Sequence, residues 1–216
     1  MNVLLLRLAA PMQSWGTQSR FSMRDTGVEP SKSGVIGLIC AALGRRRWEP
    51  IEDLAALRVG VRVDREGKME SDYHTALNVI KASGTLSKPG EAVLSHRFYL
   101  ADADFLAGLE GEDLGLLEDI DNALQNPCWP LFLGRKASPP AKPVHLPDGL
   151  QPGKDLYQAL TQYLPRPASF RLIVEDHEGE ATRVDQPVAP FIERRFAPRR
   201  VTIRMIREEE LCISPC

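Results

Sequence analysis

The sequence predicts an α+β protein whose N-terminal part follows the order β-α-β-β-α-β. Apolar or alternating segments of strand length occur at residues 3–8, 59–63, 93–100 and 131–133. Segments with apolar residues at helical spacing separate them at residues 31–43 and 114–124. This order is that of the split βαβ unit, so we predict a ferredoxin-like fold for this part of the chain.

The first half of this unit has well-marked boundaries. The strand over residues 3–8 is apolar with little alternation, as expected for a strand that is buried on both faces. Pro30 precedes the first helix, Ser31 or Ser33 can cap it, and Gly44 ends it.

In the second half, two strands and a helix are joined by turn signals. The alternating valines of residues 59–63 end near residues 65–67. The strand at 93–100 continues a segment with hairpin-like turns at Ser83-Gly84 and Pro89-Gly90. The helix at 114–124 has acidic residues opposite its apolar face.

The rest of the chain predicts a small β-rich extension. Residues 139–152 contain five prolines, a composition typical of a connector. After it we predict a helix, two strands joined as a hairpin and a last strand, at residues 155–163, 170–174, 182–184 and 201–206. The predicted units are therefore a first domain, a smaller C-terminal subdomain and a flexible tail, over residues 1–138, 139–208 and 209–216.

Charge is segregated along the chain, although the net charge is only −2. Residues 101–124 contain eight acids and no base, whereas residues 190–207 contain six arginines and one glutamate. A basic face on a nearly neutral protein is expected of a surface that binds phosphates. The alternative is a solvated face with scattered cations.

The termini and cysteines indicate a cytoplasmic protein. The apolar N-terminus is interrupted by Arg7 and Pro11, so it predicts neither a signal peptide nor a membrane span. The four cysteines have neither a CxxC pair nor a histidine at zinc-ligand spacing. Cys40 lies in an apolar helix pattern, which favours a buried thiol in a reducing compartment. We predict no metal and no cofactor.

The start of the first helix is a candidate anion site. Lys32 lies between Ser31 and Ser33, but Thr26 and Ser31 stand where a nucleotide-binding loop requires glycine. An ATPase or GTPase is therefore excluded. Free amides at a helix start, together with a lysine, suit an RNA phosphate. Plain helix capping is the alternative.

Two further segments suit RNA. Gly134 is followed by Arg135 and Lys136 just past a predicted strand, where glycine permits close backbone approach and cations neutralise phosphate. The loop predicted at residues 10–30 carries a tryptophan among polar and basic residues, a composition that suits the binding of unstacked bases. Its candidates are Gln13, Trp15, Arg20 and Arg24. For Trp15, anchoring the loop to the core is the alternative.

Catalytic candidates are few. His74 and His96 lie near Tyr99 in the sequence, and such a set can cleave RNA without a metal by general acid–base chemistry. A lone histidine is more often a hydrogen-bonded or surface residue. The sequence lacks the motifs of metalloproteases, serine hydrolases and two-metal nucleases.

Five segments, taken in order, resemble those of one known family. They are A-P-M-Q-S-W-G, P-S-K-S-G-V-I-G-L-I-C-A-A-L-G, D-Y-H-T-A-L, R-F-Y-L-A-D-A and P-L-F-L-G-R-K, which begin at residues 10, 30, 72, 97 and 130. The chain resembles the CasD family, RAMP-superfamily subunits of the type I-E CRISPR surveillance complex Cascade. The likeness runs to Arg200 and departs at Phe98, where the family usually has an acid.

The resemblance implies an RRM-like palm with an inserted β-hairpin thumb at about residues 72–98. It also implies a non-catalytic subunit that holds the 5′ handle of the crRNA and contacts the backbone and large subunits of a hetero-oligomeric ribonucleoprotein in antiviral defence. In that subtype a separate endonuclease processes the precursor RNA. In a related subtype the corresponding protein cuts the repeat RNA, which keeps a metal-independent endoribonuclease as the alternative.

On this hypothesis the RNA lies over the loop at residues 13–24, the start of the first helix and the turn at residues 134–136. Arg97 lies at the base of the thumb, and Arg199 and Arg200 are further RNA-binding candidates. A third hypothesis is a scaffold that binds only protein.

Overall fold

The computed structural model describes residues 1–17, 19, 22–80, 83–88 and 90–211. Within these ranges the chain forms a mixed α/β structure with two sheets. Its strands are β1 (Asn2–Ala9), β2 (Met12–Gln13), β3 (Met23–Arg24), β4 (Arg58–Arg65), β5 (Lys68–Leu77), β6 (Ala92–Ala101), β7 (Asp104–Gly111), β8 (His145–Pro152), β9 (Ser169–Glu175), β10 (Ala181–Pro187) and β11 (Phe196–Arg207). Its helices are α1 (Lys32–Leu43), α2 (Glu52–Ala55), α3 (Leu114–Gln125), α4 (Leu156–Gln162) and α5 (Glu208–Leu211).

The main sheet has seven strands in the order β10-β11-β9-β4-β7-β1-β8, and every neighbouring pair is antiparallel. Helices cover both of its faces, which explains why β1 is apolar without alternation. Leu4, Leu6 and Leu8 point into the core beneath α1 and α3, whereas Val3 and Leu5 pack with α4 on the other face. Each fully buried leucine stabilises the fold by about 1.5–3 kcal/mol.

The ends of α1 are those that the sequence predicts. The Ser31 side chain accepts a hydrogen bond from the Gly34 amide at 3.2 Å, and Gly44 adopts the left-handed conformation that ends the helix. The predicted capping serine and terminating glycine are therefore confirmed. The helix at residues 155–163 is also confirmed as α4, which Asp155 caps.

The predicted strand at residues 131–133 is wrong. Leu133 instead exchanges backbone hydrogen bonds with loop residues, accepting from the Ser14 amide and donating to the Ser138 carbonyl. The strand that takes the last place in the predicted β-α-β-β-α-β order is β8, which pairs with β1. A short apolar run beside a proline-rich segment satisfied the strand pattern, but its backbone partners lie in loops.

The C-terminal strands also pair differently from the prediction. β9 and β10 do not form a hairpin, because β11 lies between them and pairs with both. Moreover, β9 pairs with β4, so residues on both sides of the expected boundary at residue 138 share one sheet. Gly179, in the turn after β9, lies against the backbone of Val201, where a Cβ atom would come within 2.4 Å.

The second sheet is built on a long hairpin, β5–β6, which leaves the main sheet between β4 and β7. β2 and β3, of two residues each, attach to β6, and β5 lies on the other edge of β6. The hairpin spans residues 68–101 and therefore exceeds the predicted insertion at both ends. Within the described residues, no helix is long and apolar enough to cross a bilayer.

Candidate nucleic-acid interface

A wide cleft of about 1110 Å³ runs along the outer face of α1; we call it the α1 cleft. Its floor is formed by small residues of the helix, which are Ser33, Gly34, Gly37 and Ala41. The Trp15 ring covers Gly34, where an added Cβ atom would lie 2.9 Å from it, so a ligand can approach the helix backbone closely at Gly37 and Ala41. One end of the cleft is formed by residues 14–17 and 19 with Gly134, and the other end is formed by residues 45–47 and the loop around Phe191.

The walls of the α1 cleft are basic and aromatic. Five arginines line it, and none of the described lining residues is acidic. These arginines are Arg45, Arg46, Arg47, Arg135 and Arg194. The aromatic lining residues are Trp15, Trp129, Phe132, Phe191 and Phe196. Guanidinium groups and aromatic rings around an open groove are suited to phosphates and unstacked bases.

The arginines at the end of α1 differ in how firmly they are held. Arg45 forms a forked ion pair with Asp53, and this hydrogen bonding holds the pKa of the Asp53 carboxyl below its ordinary value. The exposed Arg46 lies over the Trp48 ring at 5.5 Å. Arg47 donates to the Phe191 carbonyl at 3.3 Å. Arg46 and Arg47 therefore keep donors available to a ligand, since these contacts use few of their N–H groups.

The predicted anion site at the start of α1 exists, but it holds an internal carboxylate. The Lys32 amide donates to Asp185 Oδ2 at 2.7 Å, and the Lys32 ammonium pairs with Glu175 at 3.0 Å. The Lys32 side chain is only 2% exposed, and desolvation lowers its pKa. The prediction that Lys32 meets an RNA phosphate is therefore wrong. Ser33 does line the cleft, and Ser31 lines it while capping the helix.

Arg199 belongs to the same buried cluster. Its guanidinium donates to both carboxylate oxygens of Asp185, at 2.7 and 3.1 Å, and its side chain is 8% exposed. Arg199 is therefore not available to RNA, contrary to the prediction. Arg200 is exposed but donates to the Gly179 carbonyl and does not line the cleft. Alternation along β11 places these neighbouring arginines on opposite faces, which the charge count could not show.

The predicted stacking role of Trp15 is also wrong. Its side chain is 2% exposed and lies in the core, and its indole nitrogen donates to Gln13 Oε1 at 3.0 Å. Gln13 is fully buried and donates to the carbonyls of Leu8 and Ala103. The two residues anchor the loop to β1, which is the alternative that the sequence analysis left open for Trp15.

The turn at Gly134 is built against the loop at the head of the cleft. Gly134 has a φ of 97°, and a Cβ atom there would lie 1.8 Å from the Ser14 carbonyl oxygen. The half-buried Arg135 guanidinium donates to the carbonyls of Phe98, Arg24 and Asp25. The sequence predicted close approach of an RNA backbone at Gly134, whereas the backbone that lies against it in the structure is that of Ser14.

Three further predicted RNA-binding residues, Lys136, Arg24 and Arg97, do not line the cleft. Lys136 is exposed directly beside Arg135, and Arg24 is exposed on β3. Arg97 is half-buried on β6, opposite Arg24 in the register, and donates to Ser95 at 3.2 Å. Arg20 lies outside the described residues.

The structure does not bring the catalytic candidates together. His96 pairs with Tyr73 across the hairpin, whereas His74 pairs with Ser95, so the two histidines lie on opposite faces. Tyr99 shares a face with His74 but is buried beneath Arg135 and lies four register positions away, about 13 Å at 3.3 Å per residue. No general acid–base pair forms from these residues. No cluster of three metal-ligating side chains occurs among the described residues either.

Comparison with known proteins identifies the family of this fold and cleft. Residues 3–202 match the model of the CRISPR-associated protein family Cas_Cas5. The chain belongs to the Cas_Cas5 family. The predicted resemblance is thereby confirmed. A curated relative, the CRISPR system Cascade subunit CasD of Escherichia coli K12, is 31% identical, with 91% of this chain and 92% of the relative covered.

Two solved structures of Cas proteins share the fold. One, described as a crystal structure of a Cas protein, is 46% identical, covers 96% of both chains and has a TM-score of 0.79. The other, a chain of a CRISPR RNA-guided surveillance complex, is 32% identical, covers 95% of this chain and 90% of its own, and has a TM-score of 0.80. This Cas_Cas5 protein therefore has the α/β architecture of known members along nearly its whole length.

Most of the walls of the α1 cleft were not predicted from the sequence. The arginine run at residues 45–47 is a weak signal, because cations at a helix end favour the helix dipole without any ligand. Arg194 and the aromatic residues around it gave no separate signal, since they come from distant segments. The signal that was present is the pair of small residues at 37 and 41, whereas Gly34 is covered by the Trp15 ring.

Proposed function

We propose that this protein is a non-catalytic subunit of a Cascade surveillance complex and that it holds the 5′ handle of the crRNA in the α1 cleft. The observation that carries the proposal is the lining of that cleft, which has exposed arginines at residues 46, 47 and 194, partly exposed aromatic residues and no acid among its described residues. The family and its Cascade relative name the class of complex. Arginine and aromatic groups supply the backbone neutralisation and stacking that a single-stranded RNA requires.

The fold supports the same assignment. Strands β4, β7, β1 and β8 lie side by side in the sheet, with α1 after β1 and α3 after β7. Numbered within the β-α-β-β-α-β unit, this order is 4-1-3-2, which we interpret as a ferredoxin-like RAMP palm. The palm then extends to residue 152 instead of residue 138, and β9–β11 widen its sheet. The β5–β6 hairpin is the proposed thumb.

Within the cleft we assign the phosphate contacts to exposed cations. These are Arg46, Arg47 and Arg194, with Lys136 beside the opposite end. Ser33 and Gly37 let the RNA backbone approach α1. Trp129, which is 39% exposed, and Phe132 offer ring faces to bases.

One face of the hairpin suits a protein neighbour. Across β5 and β6 the residues that share this face carry no formal charge. They are Met69, Ser71, Tyr73, Thr75, Leu77, Ala92, Leu94, His96, Phe98 and Leu100. Tyr73, Leu77 and Leu94 are 58%, 57% and 44% exposed. An exposed apolar face is typical of a protein–protein contact, and we assign it to the backbone subunit of the complex. The large subunit is the second proposed neighbour.

RNA binding is tested with labelled single-stranded CRISPR repeat RNA, titrated at several salt concentrations. Arg46→Glu lowers the affinity and reduces the slope of log K against log salt by about 0.7, the value for one phosphate contact on a single strand. The matched control is Arg204→Glu, an exposed arginine of β11 on the α4 face of the sheet. Equal effects of the two variants, or no binding by the wild type, would refute the cleft as the RNA site.

When the RNA titration is followed on a gel, the same gel tests catalysis, because protein-bound RNA and cleaved RNA migrate separately. RNA that stays intact, with and without EDTA, supports a binding role. A discrete cut that His74→Ala or His96→Ala abolishes would make the protein a processing enzyme.

The hairpin assignment is tested by reconstitution with the backbone subunit. Leu77→Glu places a charge on the uncharged face and weakens that association without changing RNA affinity of the isolated protein. His74→Glu is the control, since it adds a charge to the opposite face of the same strand. Association that both variants weaken equally would contradict a specific contact through the uncharged face.

A further inference from the structure

Arg135 forms contacts that connect the β5–β6 hairpin with the segment at the end of β3. Its Nη1 donates to the Phe98 carbonyl on β6 at 2.9 Å. Its Nη2 donates to the carbonyls of Arg24 at 2.9 Å and Asp25 at 3.1 Å, at the end of β3. The guanidinium also lies 4.6 Å from the centroid of the Tyr99 ring. One side chain thus contacts the hairpin, the loop beside it and, through its own backbone, the turn at the head of the α1 cleft.

The root of the hairpin is attached to the main body through β2, β3 and the core. β2 contributes the pairs at Ala101 and Leu100, β3 contributes those at His96 and Arg97, and Leu100 packs in the core of the main sheet. β3 is itself only two residues long, so its position also depends on what holds the following residues. Two hydrogen bonds with the Trp15 backbone contribute to that hold, and Arg135 adds to it, because its Nη2 binds the two carbonyls at and after the end of β3.

The turn that carries Arg135 is itself fixed to the cleft. The Ser14 amide donates to the Leu133 carbonyl at 3.0 Å, and Gly134 lies directly against the Ser14 carbonyl. Ser14, Gly134 and Arg135 all line the α1 cleft. A ligand that orders this end of the cleft therefore orders the backbone from which the Arg135 side chain extends.

We infer that Arg135 is a positioning residue that couples occupancy of the α1 cleft to the orientation of the β5–β6 hairpin. This inference rests on the proposed function, since it takes RNA as the ligand of the cleft. It differs from the sequence prediction, in which Arg135 meets a phosphate. The guanidinium fork suits this role, because it reaches carbonyls on two segments while stacking on a ring. A lysine ammonium is a single point of contact and cannot reproduce that geometry.

The coupling has a thermodynamic consequence. RNA that orders the turn at Gly134 favours the docked arrangement of the hairpin, and the docked hairpin in turn favours RNA binding by the same factor. Without the guanidinium fork, RNA still binds the exposed cations of the cleft, but the hairpin no longer responds to it. The number of phosphate contacts stays the same.

Amide hydrogen exchange followed by mass spectrometry tests this inference. In the RNA-free Arg135→Lys protein, peptides from β3 and the root of the hairpin exchange about tenfold faster than in the wild type, as expected for loss of charge-assisted hydrogen bonds. Peptides from α4, which packs on the other face of the sheet, exchange at wild-type rates and report that the fold is intact. Adding CRISPR repeat RNA slows exchange at the hairpin root of the wild type but not of Arg135→Lys.

Salt dependence separates positioning from phosphate contact. Arg135→Gln leaves the slope of log K against log salt unchanged, whereas Lys136→Gln reduces it by about 0.7. If peptides from α4 also exchange faster in Arg135→Lys, Tyr99→Leu is used instead. This substitution removes the ring on which the Arg135 guanidinium stacks, and it should increase exchange at the hairpin root on its own. Wild-type exchange at the hairpin in these variants would overturn the inference, as would Arg135→Gln reducing the slope as much as Lys136→Gln. If the wild type fails to bind RNA, the proposed function fails, whereas exchange in the RNA-free protein still decides whether Arg135 holds the hairpin.

Discussion

Replacing Gly134 by alanine tests the geometry at the head of the α1 cleft. Gly134 has a φ of 97°, a region in which a side chain costs roughly 1–2 kcal/mol per residue. The added Cβ would also lie 1.8 Å from the Ser14 carbonyl oxygen, which is backbone and cannot rotate away. To restore ordinary contact at 3.4 Å the two segments must separate by about 1.6 Å, which is 3.4 minus 1.8.

That separation breaks the hydrogen bond from the Ser14 amide to the Leu133 carbonyl, worth about 0.5–1.5 kcal/mol. Together with the backbone strain, we expect Gly134→Ala to lower the free energy of unfolding by about 3 kcal/mol. For a chain of this length the melting temperature then falls by roughly 6–12 °C. RNA binding at the cleft weakens as well, because the loop at Ser14 and the turn at Gly134 move apart.

The chain contains a matched control. Gly153 has a φ of 77° but nothing lies within 4 Å of the position of a Cβ atom. Gly153→Ala therefore incurs only the backbone strain, roughly 1–2 kcal/mol. Urea denaturation of the two variants and the wild type, with thermal melting as a second measurement, compares them. A loss at Gly134 no greater than that at Gly153 would refute the argument from close approach.

Three further substitutions test buried groups. Asp185→Asn removes the internal carboxylate beside the start of α1 and should lower the free energy of unfolding by about 3 kcal/mol, measured by urea denaturation; an unchanged midpoint would contradict this. Burial raises the pKa of the Cys40 thiol from 9.0 to about 11, so the folded state holds this proton more tightly than the unfolded chain does. The resulting contribution to stability is complete below pH 9 and is lost as the pH rises through 11. The stability difference between wild type and Cys40→Ala, followed from pH 8 to pH 11, should therefore shrink; a constant difference is inconsistent with a buried neutral thiol. Arg62→Met leaves the Asp64 carboxylate and three carbonyls without their buried donor. It should lower the free energy of unfolding by about 3–5 kcal/mol, measured by urea denaturation. A loss below about 1 kcal/mol would contradict this, since it would show that the site relaxes freely.

The start of α1 illustrates how a local pattern and a tertiary contact combine. The motif around Lys32 predicts an anion at free helix amides, and an anion is present, but it is the carboxylate of Asp185 from β10. The sequence separation of 153 residues hides this partner from any local pattern. The proposed RNA site consequently lies further along the helix, at the face that Gly37 and Ala41 line.

The sequence by itself determined the features that depend on neighbouring residues. The ends of α1 follow from Ser31 and Gly44, and the strand β1 follows from an apolar run. Gly134 was singled out beside two cations, but its contact with the Ser14 carbonyl came only from the tertiary structure. Family membership followed from short segments kept in order over nearly the whole chain.

Tertiary structure alone decided which side chains face the cleft. Alternation along β11 buries Arg199 and exposes Arg200, although both appear identical in a charge count. Trp15 enters the core because Gln13 accepts its indole hydrogen bond there. Exposure and hydrogen bonding depend on partners that are distant along the chain. Assembly of the sheet therefore decides that β4 pairs with β9 and that arginines line the cleft along α1.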